Sequence, residues 1–276
     1  MTAPTPQHRT IEAAGLHLHY LEAGEGEPIL LIHGFPTSSH LWRNVMPEIA
    51  ATHRAIAIDL PGFGDSAKPL EASYSFRFYD GVLEAFVKAL GIERTALAVH
   101  DLGGPVGLYW ALAHPERLTH LALLNTLVYP ETSWAVKLFI LATYTPLLND
   151  WLAGPAGIAF AMRFGVDRKE QITEEVLAPY QAPFRDKAAR KALLKAGHGL
   201  HPAGFKEIAK RLPDLDIPVT CIYGENDRIL PDVAKTMARV QRDLPQAELH
   251  PLPGCGHFLQ EDQPTEVGQR LAAFLR

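Results

Sequence analysis

The chain has 276 residues, 47% of them hydrophobic and 21% charged, with a formal net charge of −5. That length and apolar content suit one large core, or a core with a small accessory unit. No long block of like charge occurs, which excludes the basic footprint of a nucleic-acid binder and a polybasic membrane patch.

The opening stretch M-T-A-P-T-P-Q-H-R-T lacks the basic-then-apolar order of a secretory signal. From Leu16, L-H-L-H-Y-L alternates with period two and predicts a half-exposed strand. Pro28–His33 is a continuous apolar run, as buried parallel strands are. Helical spacing follows over Trp42–Ile49, then a strand over Arg54–Asp59 and a helix over Phe76–Leu90 closed by Gly91. Thr95–His100 predicts another strand, Gly103–His114 a helix stopped by Pro115, and Leu118–Asn125 a further strand. Strands alternating with helices imply βαβ units and a parallel sheet. Between residues 128 and 209 the patterns are helical, with no convincing strand. The alternation resumes with a strand over Pro218–Gly224, a helix over Val233–Val240, the strand A-E-L-H-P-L and a last helix over Thr265–Leu275.

The expected organisation is an α/β core made of residues 1–127 and 210–276, interrupted by a helical cap over 128–209. The longest apolar run, Trp134–Leu148, carries Lys137 and Pro146. It is shorter than the ~20 residues a membrane span needs, so no span is expected. Two cysteines, Cys221 and Cys255, and no export signal point to free thiols in a cytoplasmic protein.

Catalytic groups of an open parallel sheet gather at the carboxyl ends of its strands. Asp101 ends one predicted strand in V-H-D-L-G-G, Asp227 follows another in Y-G-E-N-D-R, and His257 follows the last in G-C-G-H-F. Their order is nucleophile, acid, histidine, the chain order of a nucleophile elbow. Asp101 would otherwise read as a helix N-cap. Asp227 competes with Glu225, Asp232 and Asn125, although an amide at 125 cannot serve as the acid. Cys255 reads as a small residue in a tight loop. His33 and His100 read as supports of their turns. His198 and His201 read as surface residues without a third metal ligand, so no metal is expected.

H-G-F-P at His33–Pro36, D-L-P-G-F-G-D-S at Asp59–Ser66, the elbow, G-E-N-D and G-C-G-H occur together and in order. With them the whole chain resembles an α/β-hydrolase: a mostly parallel central sheet, flanking helices and a helical cap. H-G-F-P-T-S-S-H-L-W-R-N-V-M-P and A-V-H-D-L-G-G-P-V-G-L-Y-W-A-L-A-H-P resemble more narrowly the haloalkane dehalogenase and epoxide hydrolase branch. An aspartate nucleophile is already an anion at neutral pH and attacks saturated carbon directly, forming an alkyl ester. His257 would then activate water for the second step, Asp227 would orient His257, and the backbone N–H groups of Phe35 and Leu102 would hold the oxyanion.

The leaving group divides the branch. A halide needs N–H donors, which the resemblance expects beside the nucleophile and at the H-G-x-P position. Leu102 and Phe35 offer no side-chain donor, and Trp134 or Trp151 would supply only one. An epoxide oxygen needs an acid, and Tyr129, Tyr144 and Tyr180 fall in the cap, with Tyr144 and Tyr180 preferred. No arginine follows the nucleophile, so a small anionic substrate is not expected. The reading places a small apolar epoxide first and a carbon–halogen bond as the alternative. Behind them stand a carboxylic ester and a non-catalytic ligand-binding role. No cofactor is expected, since no G-x-G-x-x-G opens the first βα turn. The expected partner is a small apolar organic substrate, not nucleic acid or a membrane, and a homodimer is left open.

Overall fold

The computed structural model describes residues 4–276. Strands β1 (Gln7–Ala13) and β2 (Leu16–Ala23) form an antiparallel hairpin through Ala14 and Gly15, both at positive φ as a two-residue turn demands. Then come β3 (Pro28–Ile32), β4 (Arg54–Ile58), β5 (Thr95–Asp101), β6 (Leu118–Thr126), β7 (Val219–Gly224) and β8 (Ala247–Leu252). The eight strands make one sheet in the order β1-β2-β4-β3-β5-β6-β7-β8, parallel from β4 to β8. The buried strands β3 to β6 carry the continuous apolar runs of a sheet covered on both faces. Strand β1 escapes the sequence reading because it is a polar, mostly exposed edge strand with no apolar run of its own.

The region expected to be one helix near Trp42 is a 3₁₀ turn over Ser39–Trp42 followed by the short α1 (Met46–Ile49). Helix α2 (Phe76–Ala89) starts at Ser75, whose side chain caps Phe78 N, and turns Phe76, Tyr79, Leu83 and Phe86 inward. Helix α3 (Gly103–Ala113) leaves the end of β5 and is buried along nearly its whole length. Between β6 and β7 run α4 (Trp134–Tyr144), α5 (Leu148–Ala153), α6 (Pro155–Gly165), α7 (Glu174–Gln181), α8 (Lys187–His198) and α9 (Pro202–Arg211), with no strand among them. The chain finishes through α10 (Val233–Asp243), the one-turn α11 (Leu259–Asp262) and α12 (Pro264–Phe274). Among the described residues no helix is long and apolar enough to cross a membrane.

Helix α3 lies so close to the sheet that side chains at its start have no room. A Cβ on Gly104 would fall 1.5 Å from Thr126 Oγ1, the hydroxyl that donates to the Asp101 carbonyl at 2.6 Å. Gly104→Ala is therefore expected to push β6 away from the elbow at an overpacking cost of ~1–3 kcal/mol. Differential scanning fluorimetry should show a Tm several degrees lower. Gly81→Ala in α2, where a new Cβ meets open space, should leave Tm unchanged or raised.

Candidate active site

Strand β5 ends on Asp101, held at φ +50°. A left-handed backbone is costly for a residue with a Cβ and marks a constrained turn. The consequence is geometric: the side chain projects from the carboxyl end of the sheet instead of entering α3. Gly34 makes this approach possible, since a Cβ there would lie 2.3 Å from Asp101 Cβ. Asp101 is thus an elbow residue and not the N-cap of α3, a position Leu102 takes.

The Phe35 N–H donates to Asp101 Oδ1 at 2.8 Å, and the nearby Leu102 N–H favours the ionised carboxylate. His257 Nε2 stands 3.5 Å from Asp101 Oδ2 and is otherwise without a partner. On its far side, His257 Nδ1 lies 2.9 Å from Asp227 Oδ2. All three side chains are buried. Of the acids that compete with Asp227, Glu225 is exposed and Asp232 pairs with Lys235 at 3.0 Å.

Asp227 is satisfied on every side. Its Oδ1 accepts from Ile229 N at 2.8 Å and Leu230 N at 2.7 Å, and its Oδ2 accepts from Asn125 Nδ2 at 2.7 Å. Asn125 also reaches the carbonyl of Gly256 and accepts from Gly224 N. From sequence alone Asn125 reads only as an amide that cannot be the acid. Its amide braces the acid instead, and asparagine tolerates the φ of +34° found there.

Charges in this cluster set one another. Burial alone would raise the Asp101 pKa, but the hydrogen bond and charge of His257 and the Leu102 N–H bring it below the ordinary carboxylate value. Asp227 is likewise raised by burial and brought lower overall by His257, Leu230 N–H and Asn125. Burial would depress His257. The charge of Asp227 and the contacts with both aspartates outweigh that, and the imidazole is raised to about 10.

The neighbouring histidines are structural. His33 Nδ1 donates to the Gly34 carbonyl while its Nε2 accepts from Leu60 N at 3.0 Å. His100 Nε2 donates to the His257 carbonyl at 2.9 Å, and burial lowers its pKa to about 3. Two further residues of α11, invisible to motif reading, tie down neighbouring segments, and Asp262 among them holds the histidine loop. Asp262 accepts from Gly256 N, Asp167 N and Arg168 N at 2.7–3.0 Å. Glu261 forms a two-pronged pair with Arg43 at 2.6 and 2.9 Å.

The structure does not bring the expected leaving-group assistants to Asp101. Tyr180 is buried but gives its hydroxyl proton to Glu261 at 2.6 Å, because a buried carboxylate captures any donor within reach. Tyr144 is exposed and stacked on His198 at 4.0 Å. Trp134 is 72% exposed on the outside of α4, and Trp151 rests on Phe160. Tyr129 donates to Asp243. Helix α4 is apolar all round, so its sequence does not reveal that Val136, Phe139 and Thr143 face inward; Phe139 meets the Phe35 ring at 5.4 Å. A pocket of about 280 Å³ touches the back of the elbow at Thr126, yet neither Asp101 nor His257 lines it.

Among the described residues one group, His19, Asp59 and Asp65, is spaced to hold a metal ion. Its central carboxylate is already taken: Asp59 accepts from Ser39 N at 2.6 Å and Asp65 N at 2.8 Å, and meets His19 Nδ1 at 2.8 Å. Cys221 and Cys255 are buried, unbridged thiols, each pushed by burial up to about 12.

Residues 27–264 match the family model described as the alpha/beta hydrolase fold. A haloalkane dehalogenase of Sphingobium indicum is 31% identical over 295 residues, covering 99% of this chain and 96% of its own. A cis-3-alkyl-4-alkyloxetan-2-one decarboxylase of Shewanella oneidensis is 29% identical, covering 95% and 86%. The crystal structure of haloalkane dehalogenase DbeA from Bradyrhizobium elkani superposes with a TM-score of 0.85 at 26% identity, covering 98% and 97%. With a tight strand-to-helix turn at the end of β5 and a mostly parallel sheet beneath it, the chain belongs to the α/β-hydrolase fold family, on the haloalkane dehalogenase and epoxide hydrolase branch, and is a hydrolase.

Proposed function

We propose that this hydrolase works through an alkyl ester on Asp101, that His257 activates the water which cleaves it, and that residues 128–209 form the cap over the reacting carbon. The observation that carries the reading is the division of labour between the two Asp101 oxygens. Oδ1 is held by the Phe35 backbone N–H, while Oδ2 faces His257 Nε2. Oδ2 attacks a saturated carbon and expels the leaving group. Water then attacks Cγ, and the charge that develops on Oδ1 meets the N–H groups of Phe35 and Leu102.

Esterification also explains how a histidine raised to about 10 becomes a base. Alkylated Asp101 carries no charge, so one of the influences holding the imidazolium disappears and its proton is released more readily. Asp227, still ionised, steadies the imidazolium that forms when water gives up its proton.

The substrate is an apolar haloalkane in this reading, ahead of an epoxide. The phenol best placed for an epoxide by sequence, Tyr180, has its proton committed to Glu261. The dehalogenase relatives add their weight to a carbon–halogen bond. No side-chain N–H stands at 35 or 102 to meet the departing halide. Weakly basic leaving groups, which depend least on donors, should therefore be preferred. The same lack of donors favours a second reading, an alkyl-substituted oxetan-2-one, like the substrate named for the Shewanella relative. Attack of Oδ2 on its saturated ring carbon expels a carboxylate, which needs no acid at neutral pH. Loss of CO2 with departure of Asp101 would then yield an alkene without water.

Offering bromoalkanes to His257→Gln and weighing the intact protein should reveal the alkyl mass on Asp101, with hydrolysis slowed ~100–10,000-fold. A properly folded variant that stays unmodified with every haloalkane and epoxide, and forms no alkene from any oxetan-2-one, overturns the covalent route. Alkene formation from an oxetan-2-one by the same variant would select the second reading. Among wild-type rates, iodides and bromides should exceed the matching chlorides in kcat.

Stability should follow the histidine. Its folded pKa, about 10, lies above the ordinary ~6.5 of a free histidine, so its contribution is complete below ~6.5 and lost as pH rises toward 10. Asp101 and Asp227, with lowered pKa values, contribute above ~3.9 and lose that contribution as pH falls through their folded values. Thermal melts should show the wild-type Tm declining from pH 6.5 to 10, with a flatter profile for His257→Gln.

A further inference from the structure

Eleven of the twelve large apolar side chains that stand exposed among the described residues fall between Trp134 and Phe164. Phe139 belongs to the inner face of α4 and Tyr144 stacks on His198, but the other nine follow consecutive helices: α4 runs into α5, Trp151 of α5 meets Phe160 of α6 at 5.8 Å, and Phe160 stacks on Phe164. Exposures reach 64% at Leu141 and 88% at Leu147. A fully presented aromatic shows ~150–250 Å², so this surface offers on the order of 1,000 Å² of apolar area. The largest apolar patch of an ordinary monomer is ~300–600 Å².

We infer that this face is the contact between two copies of the chain, joined through α4–α6. Area and charge both select that occupant. A stable complex buries ~800 Å² per partner, which the patch supplies. Within residues 134–149 the only charged side chain is Lys137. The charges at the rim are neutralised within one copy, Arg163 by Glu174 at 2.6 Å and Arg190 by Asp150 at 3.0 Å. A lipid surface would call for a cluster of basic residues free to meet its headgroups, and Lys137 alone does not make one. Two copies of an aromatic-rich face that carries one cation, Lys137, meet with little repulsion, as a twofold interface requires. Trp134, Leu138 and Leu141, at i, i+4 and i+7, make the stripe along which one α4 packs on the other.

The contact bears on the site. Helix α4 touches its own chain through Phe139 on the Phe35 ring and through His198, which bonds Thr143 and stacks on Tyr144. A second copy on its outer face fixes the helix whose inner face meets Phe35. The inference rests on the surface alone and stands whatever the substrate.

Sedimentation and light scattering of the full chain over a range of concentrations should give a dimer. Leu138→Glu/Leu141→Glu should be monomeric with an unchanged circular dichroism spectrum, and Leu70→Glu, exposed elsewhere, should remain dimeric. Without any variant, hydrogen exchange across residues 134–151 should slow as concentration rises. A wild type that stays monomeric, or a dimer that survives the double substitution, overturns the inference. So does a monomer that floats with phosphatidylcholine vesicles, which would assign the face to lipid.

Discussion

A carboxylate buried at the end of a strand is expensive, and the surrounding architecture can be understood as the set of groups that make it tolerable. Asp101 is met by the Phe35 backbone N–H on one oxygen and by an imidazole on the other. Neither kind of partner is local in sequence. The Phe35 N–H comes from the loop after β3, and His257 comes from the loop after β8. Their convergence depends on the register of a sheet that places the ends of β3, β5, β6 and β7 side by side. Small residues close the distances: Gly34 against the carboxylate, and Gly104 against the threonine that holds the Asp101 carbonyl.

A second buried carboxylate performs the same service one layer out. Asp59 gathers Ser39 N, Asp65 N and His19, and its own carbonyl accepts from Ser66 Oγ at 2.6 Å. The loop after β3 and the loop after β4 are thereby tied to each other and to β2. The loop that supplies the Phe35 N–H thus has a fixed floor.

Much of this was legible in the sequence because the relevant signals are short and local. The apolar runs Pro28–His33 and Thr95–His100 announce buried strands, and glycines after Asp101 announce a tight entry into a helix. Asp101, Asp227 and His257 could be picked out since each follows such a run. What stayed hidden depends on contacts between distant residues. That Tyr180 would spend its proton on Glu261 follows from α7 lying against α11, which no periodicity encodes. That Trp134 and Tyr144 would face outward follows from how α4 rolls on the core, and an evenly apolar helix carries no moment to say so. Asn125 was visible as a residue but not as a brace, because its role exists only once β6 and β7 are neighbours.

The staple made by Asp262 divides the helical segment mechanically. The end of α6 shares that carboxylate with Gly256, and the Gly165 carbonyl accepts from His257 N at 2.6 Å. Any displacement of α6 would drag the main chain of His257 with it, whereas α4 has no such linkage. The chassis of the reaction therefore extends across the sheet's border into the helices, and stops at α6. Mutational drift in α4 and α5 can therefore accumulate while His257, Asp227 and Asp101 keep their alignment, so that the outer helices and the buried cluster are free to evolve at separate rates.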